Sequence, residues 1–234
     1  MTIFDKISDA LFPPKCPVCR KLLETKVPVC PDCIKELPFT AEDEQCRICG
    51  RPLEEFSYHT CLSCRSRKMY FKHSFTPLIY KETAKDVAIA LKTSKPGYAR
   101  VFAYLLADKI LTSPYYTKFD YITFIPQNSL SKRNRGYNQA RLIAKELSKL
   151  LKTPCIPTLK RTNDGKPQHT LTSAERRENV KMCYFKTNLK GKGTVLLVDD
   201  IYTTGATANY CSRLLKEMGF DKVYLAAALI RAYE

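Results

Sequence analysis

Val195-Leu-Leu-Val-Asp-Asp-Ile-Tyr-Thr-Thr-Gly-Ala-Thr207 decides the fold of this chain. Four apolar residues in succession form a short internal strand, Thr194–Val198, and two carboxylates stand at its end. A loop of small residues, Thr203 to Thr207, then opens a helix. Its backbone N–H groups and the positive end of the helix dipole make that loop a cradle for an anion. Threonine hydroxyls add donors, and Gly205 lets the backbone approach a phosphate closely. Asp199 and Asp200 are poorly suited to phosphate, but they suit the vicinal hydroxyls of a ribose. One segment therefore reads a 5′-phosphate and a ribose together. An ATPase strand can also end in acids, but it needs a phosphate loop after a strand. The nearest candidate, Gly191-Lys-Gly-Thr194, precedes one.

Outward from this segment, strands and helices alternate. Phe75–Tyr80 reads as an edge strand, because Pro77 cannot donate to a ladder. Helical periodicity runs over Thr83–Lys92 and Ala99–Leu111, broken at Lys95-Pro-Gly97. Tyr121–Ile125 is a buried-strand pattern, and Asn138–Leu151 a helix. Cys155–Leu159 is a short strand candidate, and 160–180 is polar and basic without an apolar period. Thr207–Met218 is a helix ending at Gly219, and Val223–Ile230 a further strand. Such an order specifies a doubly wound α/β domain with a mainly parallel sheet, whose ligands bind beyond the carboxyl ends of the strands.

The first 64 residues are of a different kind. Eight of the 11 cysteines lie there as four CxxC pairs: Cys16/Cys19, Cys30/Cys33, Cys46/Cys49 and Cys61/Cys64. Two residues between thiolates let a tight knuckle aim both sulfurs at one tetrahedral ion, and two knuckles complete a four-sulfur site. The pattern specifies two Zn²⁺ ions. With every ligand supplied by protein, both are structural. Sequential pairing (16/19/30/33 and 46/49/61/64) is favoured over a cross-braced one. His59 beside a complete thiolate set reads as a loop residue. Disulfides fit secreted chains, and the amphipathic start, Met1 to Leu11, has no secretory pattern. Cys155, Cys183 and Cys211 stand singly, without a neighbouring histidine, and read as packing residues.

Charge divides the chain at the same place. The net +16 comes almost wholly from residues 71–234, with 28 basic and 13 acidic side chains; residues 1–70 hold 11 and 10. Residues 130–192 alone hold 16 basic and 4 acidic, a density that attracts phosphate. Eight thiolates and two Zn²⁺ would bring residues 1–70 to about −3, which suits protein docking better than nucleic-acid reading. No apolar run reaches the ~18–20 residues of a membrane helix, and the chain reads as soluble and cytoplasmic. Two domains are expected: a zinc-ribbon module, 1–70, and an α/β domain, 71–234.

The segment Val195–Thr207 resembles the phosphoribosyl pyrophosphate (PRPP) signature of type I phosphoribosyltransferases. That resemblance implies that Asp199 and Asp200 hold the ribose hydroxyls and that Thr203, Thr204, Gly205, Ala206 and Thr207 hold the 5′-phosphate, with Mg²⁺ bound alongside PRPP. Over nearly its whole length the chain is similar to the ComF family of competence proteins, which join a zinc ribbon to a phosphoribosyltransferase-like domain. The motifs that carry this are Arg135-Gly-Tyr-Asn-Gln139 and the set Gln168, Leu171, Arg176 and Asn179. They imply that Arg135, Gln168 and Arg176 serve the pyrophosphate and a flexible loop. The sequence departs from the family at Phe124-Ile-Pro-Gln127.

The resemblance implies a DNA-uptake factor that binds single-stranded DNA along 130–192. It would work with an ATP-driven helicase, docked through the zinc module, because no motor is encoded here. Tyr137 and Tyr184 are candidates to stack bases or to pack in the core. A PRPP-dependent transferase of nucleotide metabolism is the alternative, and no residue identifies an acceptor or a catalytic group.

Overall fold

The computed structural model describes residues 15–23, 27–41, 44–53, 58–81, 84, 89, 97–127, 137–162, 180 and 182–232. At its centre lies a parallel sheet. Strand β1 is Ser74–Phe75, β2 Leu78–Ile79, β3 Tyr121–Phe124, β6 Thr194–Tyr202 and β7 Lys222–Ile230. Their order is β1-β7-β6-β3, with β2 pairing β7 further along the same edge. Every pairing in this sheet is parallel. A separate antiparallel pair joins β4, Leu159–Arg161, to β5, Tyr184–Lys186.

Parallel strands buried on both faces need apolar side chains in both directions. Successive residues of β6 and β7 accordingly enter opposite cores. Leu196, Val198, Ala226 and Ala228 face the side covered by helix α3, Tyr98–Thr112, and helix α4, Gln139–Leu151. Val195, Leu197, Leu225 and Ala227 face helix α5, Ala206–Glu217. Helices on both faces make the fold the doubly wound α/β class.

Two short helices among the described residues, α1 (Pro31–Lys35) and α2 (Leu62–Arg65), belong to the cysteine knuckles. The knuckles repeat one geometry. Cys16 N–H donates to the Lys21 carbonyl and Cys46 N–H to the Arg51 carbonyl, each at 2.7 Å. A left-handed residue closes each turn, Arg20 at φ 68° and Gly50 at φ 74°. Glycine is needed only at the second position, because a Cβ on Gly50 would stand 3.0 Å from the Ser74 carbonyl of β1.

The two ribbons grip opposite faces of the sheet. Cys16, Val29 and Leu37 join the core beneath α3, and Cys46, Cys49 and Cys61 join the core beneath α5. Between them, residues 38–40 cover the outer edge of β1 and β2. Thr40 N–H donates to the Pro77 carbonyl at 2.9 Å, and Ile79 N–H to the Pro38 carbonyl at 2.8 Å. An open edge is thereby closed within the chain.

Several boundaries differ from expectation. Phe75–Tyr80 is interrupted at Thr76-Pro77, where proline has no N–H to give, and forms two short strands. Cys155 makes only a bridge to Ile122, and the ladder forms instead at β4 and β5. This hairpin was not expected, since its three-residue strands are mostly exposed and basic. β6 continues four residues past Val198, because Asp199, Ile201 and Tyr202 still pair with β7. The expected helix Thr83–Lys92 lies outside the described residues apart from Ala84 and Ile89. Among the described residues no helix is long and apolar enough to cross a membrane.

Candidate functional site

A cavity of about 200 Å³ opens beyond the carboxyl ends of β3 and β6. Asp199, Asp200, Thr203, Gly205 and Thr207 line one side of it, and Ile125 to Gln127 the other. The structure thus brings Asp199, Asp200, Thr203, Gly205 and Thr207 together at the place a parallel sheet reserves for ligands, whereas Thr204 and Ala206 do not line the cavity. Asp199 Oδ1 accepts the Asp200 N–H at 2.9 Å, and Asp200 Oδ1 accepts the Ile201 N–H at 3.0 Å. Each carboxylate is therefore oriented by the amide that follows it.

The anion loop is built on two constraints. Gly205 takes φ 72° and its Cβ position is filled by the Tyr202 hydroxyl, so only glycine fits. Tyr202 is 1% exposed, and its hydroxyl has no hydrogen-bond partner among the described residues. Burial raises the pKa of that phenol well above its usual value, so it remains a protonated donor. Gly205 at the N-cap of α5 has no side chain to offer, and the first amide of the helix, Ala206 N–H, donates to the Thr204 hydroxyl at 3.4 Å.

The carbonyls of this loop point to the second zinc ribbon. Arg51 Nη2 donates to the Thr203 carbonyl, and Arg67 Nη2 to the Thr204 carbonyl at 2.7 Å. Arg51 is 7% exposed and lies 6.0 Å from the centroid of the Tyr202 ring. Asn209 of α5 fastens the same region, accepting Tyr70 N–H at 2.8 Å and donating to the Lys68 carbonyl at 3.0 Å.

Arg161, at the end of β4, also lines the cavity, with its guanidinium 5.1 Å from the centroid of Tyr184. Its Nε is buried without a hydrogen-bond partner among the described residues. Tyr184 is 3% exposed, which makes it a core residue rather than a platform for stacked bases. Tyr137 is half-buried and lines an adjoining hollow of about 320 Å³ with Phe124 and Arg141.

Asn138 and Gln139 tie the start of α4 to the loop after β3. The Asn138 side chain accepts Arg141 N–H at 3.0 Å and donates to the Ile125 carbonyl at 3.0 Å. Gln127 donates to the buried Gln139, so the departure at Phe124–Gln127 is matched by a partner within the chain. Arg135, Gln168 and Arg176 lie outside the described residues.

Arg51, Arg67, Arg161 and Tyr202 were not singled out from sequence. Arg51 and Arg67 meet their partners across 152 and 137 residues, a separation that no local pattern encodes. Tyr202 alone had a local signal, being the aromatic residue within the decisive segment.

The cysteines gather in sequence order, Cys16/Cys19/Cys30/Cys33 and Cys46/Cys49/Cys61/Cys64, with all sulfurs of a group within 4.8 Å of one another. Cys19 and Cys30 are 3.5 Å apart, and Cys49 and Cys61 3.7 Å. A tetrahedron of ~2.3 Å Zn–S bonds has edges of about 3.8 Å. The donor chemistry agrees. Cys46 is lowered to about 6, chiefly by its hydrogen bond with Cys49, while Cys49 and Cys64 are pushed up, Cys46 being the largest cause for each. One thiolate suppresses the next, a conflict that a dication relieves. These sites fit structural zinc. The three single cysteines behave as packing residues: Cys183 and Cys211 are fully buried, and burial raises Cys155.

Comparison with known proteins fits this geometry. The family described as a double zinc ribbon domain matches residues 7–67. Competence protein F of Haemophilus influenzae is 27% identical over 222 residues, covering 89% of this chain and 86% of that protein. Competence protein ComFC of Bacillus subtilis is 28% identical over 221 residues, covering 90% and 87%. A DNA utilization protein, YhgH of Escherichia coli, is 26% identical over 210 residues, covering 87% and 85%. Among solved structures, adenine phosphoribosyltransferase of Leishmania tarentolae overlaps 67% of this chain and 91% of its own, at 12% identity and a TM-score of 0.36. That overlap is partial, and the fold class rests on the strand order above.

Proposed function

We propose that this chain, a homologue of the ComF competence proteins across nine-tenths of its length, is a DNA-uptake factor whose cavity binds PRPP with Mg²⁺. The observation that carries the reading is that Asp199 and Asp200 line the same cavity as Thr203, Gly205 and Thr207. Carboxylates accept from the ribose hydroxyls, the amides of the loop take the 5′-phosphate, and Arg161 adds positive charge to the cavity. Mg²⁺ would be held mostly by the phosphates, as that ion prefers. Arg135, Gln168 and Arg176 remain the proposed pyrophosphate and closing-loop residues.

In this reading, residues 71–234 form the PRPP domain and its basic stretch 130–192 tracks the backbone of single-stranded DNA. Residues 1–70, nearly neutral before metal and about −3 with two Zn²⁺, dock an ATP-driven helicase in the cytoplasm. Titrating PRPP with Mg²⁺ and single-stranded DNA, each in the presence of the other, tests whether both use one cleft. DNA affinity should fall with salt by a slope of about −0.7 per phosphate contacted. Failure of the wild-type protein to bind PRPP, or PRPP binding that survives Asp199→Asn with Asp200→Asn, refutes the site.

A transferase of nucleotide metabolism is the second reading. The hollow of Phe124, Tyr137 and Arg141 favours it, since it shares Pro126 and Gln127 with the cavity and offers an aromatic seat for an acceptor base. Pyrophosphate release from PRPP that requires a defined base would establish it.

A further inference from the structure

We infer that Arg51 and Arg67 are positioning residues for the anion loop, so that the second zinc ribbon sets the loop's affinity for phosphate; this rests on the PRPP reading above. A peptide group is planar and trans, so its N–H points opposite to its C=O. Arg51 holds the Thr203 carbonyl, which turns the Thr204 N–H the other way; Arg67 does the same through the Thr204 carbonyl to the Gly205 N–H. Thr203 and Gly205 line the cavity, and the ribbon lies behind the loop. Two consecutive amides are thereby aimed toward the cavity by cations that do not themselves line it.

The guanidinium groups also polarise those peptides, which strengthens each N–H as a donor. Neither arginine is incidental to its own element. Arg51 is the second residue after Cys49 and Arg67 the third after Cys64, so each knuckle of the second site ends in one of them. Their counterparts in the first ribbon, thirty or thirty-one residues earlier, are Lys21 and Glu36. Lys21 instead pairs with Asp32 at the surface. The first ribbon thus packs against α3 and keeps its matching cation at the surface, while the second turns both of its arginines to the loop.

Replacing Arg51 or Arg67 by methionine keeps the apolar stem and removes the donors. Each variant should bind PRPP and inorganic phosphate about tenfold more weakly, with zinc content and melting temperature retained. Arg67→Lys, which can still donate to the carbonyl, should recover most of the loss. In the ligand-free protein, the amide signals of Thr204 and Gly205 should shift in the methionine variants, a change that a purely packing role would not produce. Asp199→Asn should weaken PRPP but leave inorganic phosphate bound, which separates the two readings. If the methionine variants bind both probes as the wild type does while Asp199→Asn loses PRPP, the positioning role is overturned and the PRPP site stands. If the wild type binds phosphate but not PRPP, and the methionine variants lose it, the positioning role stands and the PRPP reading falls. If the wild type binds neither, both fall.

Discussion

Tyr202 shows how a single side chain can be placed against its own stability. Its hydroxyl is buried beside Gly205 with no partner among the described residues, and such a group costs about 1–3 kcal/mol. Tyr202→Phe is expected to raise the unfolding free energy by about 1 kcal/mol while weakening PRPP binding, as thermal melting and calorimetric titration would show. A loss of stability in that variant would mean that the hydroxyl has found a bond elsewhere. Gly205→Ala should do the opposite. Left-handed backbone costs an L-residue about 1–2 kcal/mol, and the new methyl meets Tyr202 as well, so both the melting temperature and PRPP affinity should fall. Asp199, Asp200 and the threonines were legible because their chemistry lies in consecutive residues. Arg161 was not, for it lies in the stretch 160–180 that has no apolar period, and it reaches the cavity only through pairing with a strand more than twenty residues later.

At the scale of elements, the two zinc ribbons are alike in knuckle geometry and unlike in what they support. The first lies against α3, where the Tyr98 hydroxyl donates to the Pro17 carbonyl; the second lies against the anion loop and α5. Cys49→Ser should therefore release one zinc and weaken PRPP binding by about tenfold, in line with the loss of a charge-assisted bond. Cys19→Ser, at the exposed corner of the first site, should alter zinc content without touching PRPP affinity. Equal losses from both would show that the ribbons act as one body. The knuckles were legible from spacing alone, because two residues between thiolates have few uses. What they lean on was not, since packing partners are set by the sheet. The same limit explains β6: its extension through Asp199 depends on Ala227 and Leu229 across the ladder.

At the scale of the molecule, metal analysis should find two zinc per chain, and their removal should cost more than the ribbons themselves. Cys16, Val29 and Leu37 complete one core and Cys46, Cys49 and Cys61 the other, so chelation should lower the melting of the whole protein in one transition. A ribbon that melts separately, with the α/β part unmoved, would contradict the shared cores. The net charge of +16 was visible at once, yet only its partition along the chain had meaning. The strand order has a consequence for biosynthesis. β7 follows every other strand in the chain but sits between β1/β2 and β6, the position on which the sheet depends. The zinc knuckles can gather their ions soon after they leave the ribosome, since the four cysteines of each site lie close together in the chain. Residues 38–40 must then wait for an edge that does not exist until residue 230 has emerged, roughly ten to forty seconds later at ordinary elongation rates. In the last part of that interval, once β6 has emerged, one of its edges lacks a neighbour, and a nascent chain in that state is where a chaperone would be needed most.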